Sequence, residues 1–197
     1  MAQAYQHINR MGDVYLLQSK PGKDGKPRYS FTRKITGTPV EHLPEGYEHR
    51  EHPESGQVTL RRIQPSAIGH EEKLLLERAI RKHTEGILFI VDVEKRSLVV
   101  YTAEADFDVR IGALRFFAPV DHATAQSMKA RMIANAHYQK MMRFTLVDAE
   151  QRRFDIERWC FMGSIDDWHF IEGNASLPEL ARKYVKHLGK ESFFELV

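Results

Sequence analysis

The chain has 197 residues, with 29 basic side chains against 27 acidic ones and a net charge of +2, so no uniformly basic nucleic-acid-binding domain is present and any such surface must be local. At 42% hydrophobic and 28% charged residues it has the composition of a globular protein with a real core. One cysteine, Cys160, excludes an intramolecular disulfide and a multi-cysteine zinc site; the polar N-terminus and a longest apolar run of only residues 86–91 lead us to expect a cytoplasmic protein with no membrane partner.

In chain order, residues 14–19 (VYLLQS) and 28–33 (RYSFTR) are predicted strands, joined by a loop of Pro-Gly, Asp-Gly and Lys-Pro punctuation. Residues 46–52 and 57–63 repeat the pattern around Pro53-Glu54-Ser55-Gly56, giving a small antiparallel unit of three or four strands. The first predicted helix covers 68–83, where Leu75, Leu76, Ala79 and Ile80 share a stripe with Glu72 and Gly86 supplies a stop. ILFIVDV then reads as a fully buried strand, turning at 94–97 into LVVYT. A further strand is predicted at 109–117, and a helix at 123–138 with Ala125, Met128, Met132 and Ala136 on one face. Residues 144–147 and 154–161 form a strand pair around a polar turn. The last helix opens on Ser176-Leu177-Pro178-Glu179, a capping-box pattern, and runs to Gly189 as its C′ residue. The tail SFFELV is too apolar to remain in water.

Strands and helices do not alternate as βαβ units, which excludes a doubly wound parallel sheet. The expected fold is α+β: a small N-terminal antiparallel β unit over residues 1–65, followed by a larger antiparallel-sheet domain with about three helices over 66–197.

GKPRYSFTRK with GTPV, LPEGYEHREHPESGQVTLRR, and RWCFMGSIDDW with ESFFEL together resemble a group of uncharacterised bacterial, planctomycete-like proteins. The resemblance implies a bacterial cytosolic origin and assigns no activity, fold or catalytic residue.

Functionally, residues 9–34 concentrate seven basic side chains against two acids. Tyr29, Phe31 and Arg33 alternate and so share one strand face, with Arg28 and Ser30 on the other. Aromatic rings beside Arg and Lys on a sheet are how RRM and OB-type modules hold nucleic acid, although the glycines of the RRM consensus are missing. Lys23, Lys26, Arg28, Tyr29, Phe31, Arg33 and Lys34 are therefore the candidate nucleic-acid contacts. The alternative is a plain hairpin, its rings in the core and its lysines guarding an edge.

RWCFMGSIDDWHF holds both tryptophans, and Trp159, Asp166, Asp167 and Trp168 are candidate contacts for a protein partner. His49 and His52 have i, i+3 spacing, which on a strand sends them to opposite faces, so no metal ligand set is expected. No P-loop, Rossmann fingerprint or nucleophile elbow is present. The expectation is thus a non-enzymatic cytosolic binding module, without cofactor, whose partner is nucleic acid or a nucleic-acid-associated protein. The competing reading is a metal-dependent phosphodiesterase or nuclease drawing on Asp92, Glu94, Asp106, Asp108 and the Asp166-Asp167 pair, which would require those acids to converge in a cleft.

Overall fold

A computed structural model describes residues 3–84, 87–103, 121–161 and 166–196. The strand expected at 109–117, the Gly86 stop, Gly163, Ser164, Asp106 and Asp108 lie outside the described residues. The three described helices are α1 (His70–His83), α2 (His122–Ala134) and α3 (Leu177–Tyr184). All described strand pairings are antiparallel, in a small N-terminal sheet, a separate two-stranded sheet and a larger five-stranded sheet, so the fold is α+β. The described residues group into two compact units, one of 3–64 with 121–135, the other of 65–84, 87–103, 136–161 and 166–196.

The first unit contains β1 (Gln6–Ile8), β2 (Val14–Pro21), β3 (Pro27–Thr32), β4 (Thr38–Pro39), β5 (Tyr47–Glu51) and β6 (Val58–Arg62). Strand β2 is central. Gln18 and Ser19 pair with Ser30 and Tyr29 of β3, and also with Pro39 and Thr38 of β4. The partners must flank opposite edges of β2, so the link 33–37 crosses one face of the sheet. The Gln18 side chain identifies that face, because its Oε1 accepts the Thr36 and Gly37 N–H groups at 2.8 and 2.9 Å. Leu17, Val58 and Tyr15 are the buried apolar residues of these strands. In α2, Asp121 caps the N-terminus by accepting the Thr124 N–H at 2.8 Å. This helix stops at Ala134, so Ala136 of the expected stripe lies beyond it, and Ala125 is its buried residue.

The second unit is built on β7 (Leu88–Glu94), β8 (Ser97–Ala103), β9 (Gln139–Asp148), β10 (Arg153–Cys160) and β11 (Asp167–Ser176), in the order β11-β10-β9-β8-β7. Register places Val93, Leu98, Phe144 and Ile156 in one row on one face. Leu76 and Ile80 of α1 and Leu180 and Ala181 of α3 join the same buried cluster. Each fully buried aliphatic or Phe side chain contributes about 1.5–3 kcal/mol of transfer free energy, so this face is the energetic centre of the unit.

Three sequence expectations change here. ILFIVDV is an edge strand, not a fully buried one: of β7 only Val91 is buried, because β8 covers just one of its edges. Strand β11, Asp167–Ser176, is an element not assigned from the sequence. It pairs along the length of β10 through two register shifts, one on each side of Ile156. Finally, Ser176 stands at the N-cap of α3 but its hydroxyl makes no capping hydrogen bond, and Glu179 pairs instead with Lys183 at 3.4 Å. The α-helix gives way at Tyr184 to a 3₁₀ turn, Val185–His187, before Gly189 at φ +72°. The tail does pack back: Phe193 is buried in the core cluster, Leu196 lies against it, and the Leu196 carbonyl accepts the Arg158 Nε–H at 2.5 Å. No helix among the described residues is long and apolar enough to cross a membrane.

Candidate nucleic-acid interface

Strands β2 and β3 form the expected hairpin, in register Leu17↔Phe31, Gln18↔Ser30, Ser19↔Tyr29 and Lys20↔Arg28. The pleat sorts its side chains. Tyr15, Leu17, Ser19, Tyr29, Phe31 and Arg33 share one face; Gln18, Lys20, Arg28, Ser30 and Thr32 share the other. The tip is closed by the Gly22 N–H donating to the Lys26 carbonyl at 2.8 Å.

The ring-bearing face is the packed one. Phe31 meets Tyr5 edge-on at 6.2 Å between centroids and is half-buried, as is Tyr29. Tyr5 donates to, or accepts from, His49 Nδ1 at 3.3 Å, and the His49 ring lies 4.2 Å from that of His7. His7 Nε2 is buried without a hydrogen bond, 3.9 Å from a Glu51 carboxylate that Arg10 already engages at 2.9 Å. Burial, followed by the neighbouring His7, pushes the His49 pKa below its ordinary value. This His7–His49 contact spans residues far apart in sequence, and no local spacing pointed to it. Arg33 is committed too: it pairs with Asp13 at 2.6 Å and lies 5.6 Å over the Tyr15 ring.

The opposite face and the tip carry the uncommitted charge. Lys20, Lys23, Lys26, Arg28 and Lys34 are all exposed, and none makes an ion pair with another described residue. Lys20 and Arg28 are direct cross-strand partners. Like charges in that position repel and destabilise the pair. Lys34 sits in the link that crosses this same face.

In the second unit, Trp159 and Trp168 are cross-strand partners on β10 and β11, with rings 5.1 Å apart and nearly perpendicular. Lys140 lies 4.4 Å over Trp159 and Arg143 4.5 Å over Trp168. Arg143 also grips Glu157 with two bonds of 2.5 and 2.6 Å. Both tryptophans are half-buried, while Asp166 and Asp167 are exposed and Asp167 accepts the Trp168 N–H at 2.7 Å. The rings and cations of this cluster are satisfied by one another. Cys160, at the end of β10, is partly exposed.

Asp92 and Glu94 do share one face of β7, opposite Val99 and Ser97 of β8. Among the described residues no three His, Cys, Asp or Glu side chains are placed to hold a metal ion. A groove of 410 Å³ between α1 and β7 is lined by Lys73, Glu77 and Arg81, but its acid, Glu77, is shared between the two cations at 3.9 and 3.5 Å.

No protein family, curated protein or solved structure matches this chain.

Proposed function

We propose that the protein is a binding module that contacts nucleic acid through the cationic face and tip of the β2–β3 hairpin. The observation that carries this reading is the Lys20/Arg28 cross-strand pair, flanked by Lys23, Lys26 and Lys34, all exposed and unpaired within the described residues. A fold gains nothing from placing two cations opposite each other. A bound row of phosphates converts that repulsion into attraction and releases counterions. The contacts assigned to phosphate are Lys20, Lys23, Lys26, Arg28 and Lys34. Phe31 has a structural role through Tyr5, and Arg33 one through Asp13.

The test is fluorescence anisotropy of labelled oligonucleotides with the intact chain at low and moderate salt. Binding should weaken steeply with salt, and replacing any one of the four lysines or Arg28 with Ala should flatten the log–log slope by roughly 0.7–0.9. Wild-type protein that binds no oligonucleotide at low salt refutes the reading.

A further inference from the structure

We infer that the nucleic acid this hairpin fits is a B-form duplex entered through its major groove, and not a single strand stacked on the sheet; the inference rests on the nucleic-acid reading above. Its first support is the segregation of side chains. The cationic face holds Gln18, Lys20, Arg28, Ser30 and Thr32 and no aromatic ring. Proteins that hold single strands rely on exposed rings on which bases stack. Here Phe31 is turned to the packed face against Tyr5, and Tyr15 is 8% exposed beneath Arg33. Phosphate contact is therefore available on this face, and base stacking is not.

The second support is shape. Strand β4 pairs with β2 only as far as Ser19, so the end of the hairpin is a short two-stranded projection of two ladder pairs, Lys20↔Arg28 and Pro21↔Pro27, closed by the 22–26 turn. Every residue from Lys20 to Arg28 except Gly22 is exposed. Paired strands lie about 4.8 Å apart, and the B-form major groove, roughly 12 Å wide, admits a two-stranded ribbon. The deep, narrow major groove of A-form RNA does not. One cation on each strand, Lys20 and Arg28, with Lys23 and Lys26 flanking Asp24 in the turn, can then reach phosphates on the groove walls.

The third support concerns selectivity. Gln18, the amide side chain on this face, has its Oε1 occupied by the Thr36 and Gly37 N–H groups. Reading adenine requires a free carboxamide, so binding should be largely independent of sequence.

The experiment compares one sequence in three forms, a DNA duplex, the matching RNA duplex and a single DNA strand of about 20 nucleotides, by anisotropy with the intact chain at fixed low salt. The DNA duplex should bind roughly tenfold tighter than either of the others, and a minor-groove drug should not displace the protein. Lys20→Glu with Lys26→Glu should abolish duplex binding without lowering the melting temperature, since a carboxylate at position 20 would face Arg28 as an opposite charge, whereas Phe31→Leu should leave binding within about twofold. A single strand or RNA duplex bound as tightly as the DNA duplex, or displacement by the minor-groove drug, overturns groove entry but leaves the phosphate-binding reading standing. Loss of binding to all three forms overturns that reading and this inference together.

Discussion

Glu72 looks in the sequence like the one polar intruder in an apolar helical stripe. In the fold it is a joint: its carboxylate accepts the Gly69 N–H at 2.8 Å at the start of α1 and is gripped by Arg152 from the β9–β10 turn, through Nε at 2.9 Å and through Nη2. Gly189 shows the converse, a residue expected for its local conformation that also meets a distant neighbour. Its φ is +72°, and an added Cβ would lie 2.2 Å from Ile87 Cδ1. Gly25 shares the positive φ, at +76°, with open space around it. Gly25→Ala should therefore cost about 1–2 kcal/mol from left-handed strain alone. Gly189→Ala should cost about 0.5–1.5 kcal/mol more, because the Ile87 side-chain end must leave its rotamer to make room. Urea midpoints of the two variants check this, and equal losses would show that the Ile87 contact relaxes without cost.

At the scale of elements, α3 is held by burial and not by its cap. Leu177, Leu180 and Ala181 are buried, while the Ser176 hydroxyl makes no capping bond and Pro178 stands in the first turn. A Ser-to-Ala change at a working N-cap costs about 1 kcal/mol. With that bond missing, Ser176→Ala should stay within about 0.5 kcal/mol of wild type, and a larger shift in the urea midpoint would show that the hydroxyl caps the helix in solution. Near its C-terminus, the Glu172 carboxylate accepts from Lys183 at 2.8 Å and from the Tyr184 hydroxyl at 2.6 Å, tying α3 to β11. The hydrogen bonds from Lys183, then from Tyr184, hold the Glu172 pKa below the usual carboxylate value.

At the scale of the whole molecule, each unit contains one histidine whose pKa is lowered chiefly by burial: His49 in the first, with His7 as second cause, and His187 in the second, with Lys186 and Lys190. Around His49 stand Tyr5, His7, Glu48 and Glu51; the two carboxylates oppose the shift and are outweighed. Such a group takes up its proton more readily in the unfolded chain. Its contribution is complete above the ordinary histidine value of 6.5 and is lost as pH falls through that value, until the lower folded pKa is reached. Melting temperature should accordingly drop as pH falls from about 7.5 to 5.5. His49→Asn and His187→Asn should each reduce that drop, and a flat or rising profile for wild type would contradict the assignment. Glu172 acts in a separate, more acidic window: its stabilisation is present above its ordinary value of 4.5 and is lost below it.

Elements whose periodicity is local can be read directly from the order of the residues. The β2–β3 and β5–β6 hairpins, the β7–β8 pair and the stripe of α1 follow from alternation at two or at 3.6 residues, bounded by Pro and Gly, and need no distant partner to be recognised. The same order places Arg28 and Phe31 on opposite faces of β3, because the strand period is two. Which of those faces is covered follows from contacts between segments distant in sequence. That choice depends on Tyr5 reaching Phe31 and His49, which are separated from it by long stretches of chain. Strand β11 was likewise decided by tertiary structure: a segment carrying Gly173 and a positive-φ Asn174 becomes a strand because β10 supplies a ladder and two register shifts absorb the mismatch. Five basic residues could be counted in the sequence; that none of them forms an ion pair with another described residue became visible only in the folded chain, because it depends on where acids distant in sequence are placed.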